Sequence, residues 1–123
     1  ILNRNLPMNW NIGFNYTYLD AINDKTNEQL GDIPYHQADI TLAHEFNKGE
    51  FLLTGNYMGS RIDGNTSAEL PSHFIADMRL TRDLSSSKEL IFSANNLFDR
   101  DYQVVDGYPM PGRNYEVELS LKF

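Results

Sequence analysis

Residues 113–123 read RNYEVELSLKF, and the spacing within this stretch decides how the rest of the chain is read. Counting back from the end, Phe123, Leu121, Leu119, Val117 and Tyr115 are large and apolar. Lys122, Ser120, Glu118, Glu116 and Asn114 lie between them. Side chains of a strand point alternately to its two faces, so this is a two-faced strand of period 2 that runs to the last residue.

Five further windows repeat the alternation. In residues 9–19, Trp10, Ile12, Phe14, Tyr16 and Tyr18 oppose Asn9, Asn11, Gly13, Asn15 and Thr17. In 37–46, Ala38, Ile40, Leu42 and Phe46 oppose Gln37, Asp39, Thr41 and Glu45, with His44 interrupting the apolar side. In 51–60, Phe51, Leu53, Gly55 and Tyr57 oppose Thr54, Asn56 and Ser60, blurred by Leu52 and Met58. In 74–82, Phe74, Ala76, Met78 and Leu80 oppose Asp77, Arg79 and Thr81. The weakest window, 89–96, sets Leu90, Phe92 and Ala94 against Ile91, Ser93 and Asn95. Helical spacing mixes Asn, Thr and Glu into every apolar stripe. The expected fold is therefore all-β, an antiparallel up-and-down meander of about six strands.

The connections alternate in length. Asn47-Lys48-Gly49 is a hairpin turn and residues 84–88 (LSSSK) are a short polar link, whereas 20–35, 61–72 and 98–112 are long and polar. A membrane barrel has this rhythm, with short periplasmic turns and long extracellular loops. The windows run about 9–11 residues, the length a tilted strand needs to cross a bilayer. Aromatic residues gather near strand ends, at Trp10, Tyr18, Tyr57, Phe74, Tyr115 and Phe123, where a girdle at each membrane interface is expected. The alternative is a soluble antiparallel β-sandwich acting as a binding module, with its apolar faces packed on each other. A small structural barrel formed by oligomerisation is a third reading.

Composition excludes several function classes. The formal net charge of −7 and the lack of any basic stretch argue against a nucleic-acid partner. Cysteine is absent, which removes disulfides, thiolate metal sites and cysteine nucleophiles. The mean hydropathy of −0.49 reads as soluble, but a barrel needs only alternate residues to be apolar. The first ten residues, ILNRNLPMNW, do not begin with Met and have no apolar signal core, so the chain is expected to be a piece of a longer or processed protein.

Residues 94–123, ANNLFDRDYQVVDGYPMPGRNYEVELSLKF, resemble the C-terminal end of a TonB-dependent outer-membrane receptor. The residues that carry the resemblance are Asn96, Leu97, Phe98, Asp99 and Tyr102, then Pro111, Gly112 and Arg113, and the aromatic Phe123. Upstream, YTYLDA at 16–21 and IPYHQ at 33–37 resemble further segments of the family, in the same order. The resemblance implies a segment of a 22-stranded transmembrane β-barrel. Residues 1–123 would be its C-terminal segment, lacking the plug and the earlier strands. It also implies a parent protein in the outer membrane of a Gram-negative bacterium that takes up an iron–siderophore or cobalamin. The implied partners are outer-membrane lipid, the rest of the barrel and plug, TonB through the missing N-terminal part, and the barrel-assembly machinery. That machinery would read Tyr115, Val117, Leu119, Leu121 and Phe123 as a signal.

No enzyme is expected. His36 and Asp39 lie at opposite parity, so they diverge; His73 and Asp77 share a face but lack a nucleophile or third ligand. No cofactor is expected in this segment. The acidic turns at Asp20-Asn23-Asp24, Asp63-Asn65 and Asp99-Asp101 are conceivable calcium ligands, though Asp, Asn and Gly are also what turns require. The inward charges Asp39, Glu45, Asp77, Arg79, Glu116 and Glu118 read as a solvated wall, and ligand contacts are expected in the long loops.

Overall fold

The computed structural model describes residues 2–6 and 9–123. Seven strands form one sheet: β1 (Leu2–Leu6), β2 (Trp10–Tyr18), β5 (His36–Phe46), β6 (Gly49–Met58), β9 (His73–Ser85), β10 (Lys88–Asn95) and β13 (Asn114–Leu121). Their order across the sheet is β1-β2-β5-β6-β9-β10-β13. Every ladder is antiparallel and joins strands in the sequence in which they are made, which is an up-and-down meander. The six expected windows all become strands. β1 is additional: Leu2 and Leu6 share a parity, but Arg4 between them breaks the period.

The ladders line up the apolar parities row by row. Trp10 faces His44, and His44 faces Phe51; Ile12, Leu42, Leu53 and Met78 follow one another across four strands. Phe14, Ile40, Gly55 and Ala76 make the next row, and Tyr16, Ala38, Tyr57 and Phe74 the next. Leu80 continues to Phe92 and Val117. One slip of register would throw each set onto the other face, so the shared parity of six strands specifies the pairing. On the opposite face, Asn15, Asp39 and Asn56 align, and the Asn56 amide donates to the Asp39 carboxylate at 2.5 Å.

The sheet is a single layer. Its strands make their substantial contacts only with ladder neighbours, so the described residues form no second sheet of the kind a sandwich requires. The two faces nonetheless differ. Large residues of the apolar parity stay open, with Val117 at 70% and Tyr16 at 55% exposure, whereas Ile75 and Ile91 on the polar parity are buried.

The short and long connections alternate as expected, with changes of detail. Gly49 belongs to β6, leaving a two-residue Asn47–Lys48 turn in which Lys48 has a φ of 67°. β9 and β10 extend into the serine run until only Ser86 and Ser87 connect them, with a bulge at Lys88/Glu89. The terminal strand does not run to the last residue. β13 ends at Leu121, which pairs with Lys88, the first residue of β10. Beyond that point the neighbouring strand has turned away. Lys122 makes one more bond, N–H to Ser87 O at 2.8 Å, and Phe123 leaves the ladder. Each long loop contains a small ribbon rather than plain coil. β3 (Ile22–Asn23) pairs with β4 (Glu28–Gln29), β7 (Arg61–Ile62) with β8 (Glu69–Leu70), and β11 (Gln103–Val105) with β12 (Tyr108–Pro109).

Candidate functional site

The three long loops meet at one end of the sheet, where Asp63 ties the second loop to the third and Asp32 ties the first to the second. Its Oδ1 accepts the N–H of Asn65 at 2.8 Å and of Thr66 at 2.9 Å, closing the turn between β7 and β8. Its Oδ2 accepts the N–H of Asp106 at 2.9 Å, in the β11–β12 ribbon of the third loop. Arg61 reaches the same ribbon, donating Nη2 to Val104 O at 2.6 Å. Toward the first loop, Asp32 N–H donates to Ile62 O at 2.7 Å, and Gly64 N–H donates to the Asp32 carboxylate at 3.1 Å. Asp63 is 2% exposed.

The amides of Asp106, then Thr66 and Asn65, stabilise the Asp63 carboxylate more than burial penalises it, lowering its pKa to about 2. A lowered folded pKa stabilises the clasp above the ordinary value of 3.8, and that contribution is lost as pH falls through about 2. In the full-length protein, Asp63→Ala is expected to speed amide exchange at Asn65, Thr66 and Asp106 together, by about tenfold or more for bonds to a charged acceptor. Residue-resolved hydrogen exchange measures this. Exchange that rises at Asn65 but not at Asp106 would show that the loops are not joined through this carboxylate.

The residues of the NLFD and PGR segments form a second knot, where the chain leaves β10 and re-enters at β13. Asn96 is 3% exposed with a φ of 53°. Its Nδ2 donates to Arg100 O at 2.9 Å and Pro111 O at 3.2 Å, and its Oδ1 accepts Arg100 N–H at 2.9 Å. One side chain thus ties both ends of the loop. Its own N–H donates to the Asp77 carboxylate at 2.8 Å. Leu97 N–H donates to Ala76 O, and Arg113 Nη1 to Leu97 O at 3.4 Å. Asp99 accepts Arg113 N–H at 2.8 Å, and its carboxylate passes so close to Gly112 that a Cβ there would lie 2.8 Å from it. Met110 N–H donates to Tyr102 O at 3.0 Å.

The aromatic residues flank the sheet at two levels. At the short-turn end, Trp10 stacks on His44 with ring centroids 4.2 Å apart, which is how His44 is accommodated on the apolar face. At the long-loop end, Tyr18 stacks on Tyr35, and Phe74 on Phe98. The Phe74 ring also covers Gly55, where a Cβ would meet it at 2.5 Å. Tyr57 faces Phe74 across the ladder, and Tyr115 stacks near Phe92. The rest of the terminal stripe, Val117, Leu119 and Leu121, is exposed on the same face.

The histidines separate as their parity implies. His36 pairs with Tyr18 in the ladder and bonds the Tyr16 hydroxyl through Nδ1 at 2.6 Å, while Asp39 bonds Asn56 on the other face. Asp77 is engaged by Asn96 rather than by His73. The acidic turns serve the backbone: Asn23 accepts Lys25 N–H, and Asp63 and Asp99 accept the amides named above. Among the described residues no three metal-ligating side chains gather. The Asp63–Arg61 clasp had no counterpart in the sequence reading, because its partners are main-chain atoms of another loop.

No protein-family model matches the chain. Solved structures do. A variant of the ferric enterobactin receptor of Pseudomonas aeruginosa superposes with a TM-score of 0.81 at 21% identity, covering 98% of this chain and 21% of the receptor. Another variant of that receptor, in complex with enterobactin, gives 0.80 at 23% identity over 99% of this chain. The copper transporter OprC gives 0.85 at 16% identity, covering 98% of this chain and 22% of its own. The chain has the fold of a barrel segment of TonB-dependent receptors, as its NLFD and PGR motifs implied. It spans about a fifth of the length of the structures it matches.

Proposed function

We infer that this chain is the C-terminal barrel segment of an outer-membrane TonB-dependent transporter that takes up an iron–siderophore or cobalamin. One observation carries the reading: six strands present a continuous apolar face that no other described residues cover, with Val117, Tyr115 and Leu119 each more than half exposed. Lipid is the solvent that suits such a face, and the aromatic rows at its two ends suit the headgroup levels. The bilayer then lies between the Trp10–His44 row on the periplasmic side and the Tyr18, Phe74 and Phe98 rings on the outer side. The polar face lines the lumen, against the plug of the parent protein, and the clasped loops face outward, where ligand is met. TonB acts through the part of the parent that precedes this segment. Fractionation of the full-length protein tests the membrane placement: a protein that stays folded and monomeric in plain buffer would overturn it.

The terminal strand has a second role in this reading. β13 is the last strand in the sheet order of the described residues, and until the parent barrel closes against its first strand the other edge of β13 is open to the barrel-assembly machinery by strand addition. Tyr115, Val117, Leu119, Leu121 and Phe123 are the residues read. Phe123 lies outside the ladder, so changing it disturbs the fold little. Phe123→Ser in the full-length receptor is expected to lower its outer-membrane level severalfold while leaving the thermal stability of the assembled fraction unchanged. An unaltered level would remove the signal role.

A further inference from the structure

The two faces of the sheet carry different charges. In β2, β5, β6, β9, β10 and β13 every Asp and Glu stands on the polar parity, and none stands on the apolar one. The apolar parity of these strands holds one Arg and one Lys, Arg82 and Lys88, and both lie at the short-turn end. Asp83 and Glu89, at the same end, are ladder partners of each other on the polar face.

The register brings the cations together. Leu90 is the ladder partner of Arg82, and Lys88 stands two residues further along β10, opposite Leu121. Arg82 and Lys88 are therefore diagonal neighbours on one face, a spacing that long side chains bridge. Lys48 approaches from the other flank. It lies in the β5–β6 turn next to Gly49, the ladder partner of Arg82, and its carbonyl accepts Asp83 N–H at 2.8 Å. The Phe46 ring covers Gly49, so an apolar surface adjoins the cations. Lys48, Arg82 and Lys88 are all exposed.

The rows fix their depth. Trp10, His44, Phe51 and Leu80 form the last ring-bearing row before them. Arg82 stands two residues past Leu80, about 7 Å further along the strand. Such a row marks the headgroup level of a bilayer, so the cations fall in the layer that holds lipid phosphates. An apolar face that ends in cations of one sign suits a partner that is apolar along its length and anionic at its head. Lys and Arg side chains serve such a partner, because their stems lie on apolar surface while their charged ends reach outward.

We propose that Lys48, Arg82 and Lys88 form a docking site for an anionic glycerophospholipid of the periplasmic leaflet. Its phosphodiester accepts hydrogen bonds from the Arg82 guanidinium and the two ammonium groups, and its acyl chains lie along Leu80, Leu90 and Leu119. Net negative charge on the lipid is what the cluster selects. The assignment deepens the transporter reading, on which it rests for the membrane.

The test uses the full-length protein, delipidated in a neutral detergent and titrated with dioleoyl phosphatidylglycerol or dioleoyl phosphatidylcholine under native mass spectrometry. The two lipids share acyl chains and differ in net charge. Phosphatidylglycerol is expected to bind fivefold or more tighter. Arg82 and Lys88 are exposed at the rim, so the double variant Arg82→Gln/Lys88→Gln leaves the fold in place. It is expected to bring the two affinities within twofold of each other and leave phosphatidylcholine unchanged. Lys122→Gln removes a cation of the opposite parity at the same end and is expected to keep the preference. Equal binding of the two lipids, a preference that survives the double variant, or an equal loss from Lys122→Gln overturns the docking site. Any of these in a protein that needs detergent to stay folded leaves the transporter reading standing. A protein that is folded and monomeric in plain buffer and binds neither lipid overturns both.

Discussion

Asn96→Ala in the full-length protein is expected to destabilise the folded barrel by about 3–5 kcal/mol. Two losses add. The side chain makes three hydrogen bonds in a site where it is 3% exposed, and each is worth about 0.5–1.5 kcal/mol, more where a buried partner stays unpaired. The backbone also holds a φ of 53°, a left-handed conformation that Asn tolerates and that costs Ala about 1–2 kcal/mol. Two further variants separate these losses. Asn96→Gly removes the strain, so it is expected to recover about 1 kcal/mol over Ala. Asn96→Asp keeps the acceptor for Arg100 N–H but turns an oxygen toward Arg100 O and Pro111 O, so it is expected to be no better than Ala. Urea unfolding of the protein in lipid measures all three. If Asp proves harmless, the Nδ2 bonds across the loop are not what holds β10 to β13.

That knot shows where the sequence was legible and where it was not. The strands could be read because the sheet is one layer thick: each side chain meets either face directly, and parity alone predicts its environment. Where a charge interrupts the parity, as Arg4 does in β1, the strand was missed. The NLFD and PGR residues stood out only through resemblance, and the structure supplies the reason. Asn96 and Asp99 are side chains that perform backbone bonding across a loop of more than ten residues, and Gly112 is there because Asp99 needs the space. The Asp63–Arg61 clasp left no such trace. Residues 63–65 read as an ordinary turn, and half of Asp63's work is indeed a turn. The other half, the bond to Asp106 N–H, joins residues 43 apart through a main-chain atom, which no pattern of residue types reveals. A cleft beside His73 was invisible for a related reason: Leu70 reaches it from the second long loop and Arg100 and Tyr102 from the third.

A charge on the apolar face is expected to cost an amount that depends on depth, and this dependence separates lipid from a protein core. Leu53 sits near the middle of β6, between Leu42 and Met78 in the ladder. In a bilayer, Leu53→Arg should destabilise by about 2–4 kcal/mol, the cost of a cation at the midplane of a barrel's outer face. Leu84, left without a ladder partner by the bulge beside the short turn and 55% exposed, should cost only about 0–1 kcal/mol when changed to Arg, because the side chain reaches the interface. Arg82 already stands at that level. On the polar face, Thr54 lies opposite Asp77, and Thr54→Arg should change stability by less than about 1 kcal/mol, since water and an opposite charge are at hand. Equilibrium unfolding of the full-length protein in vesicles gives the three values. A packed protein layer over the apolar face would penalise Leu53→Arg and Leu84→Arg alike, so equal losses at the two sites would mean that another sheet or a partner, and not lipid, covers these strands.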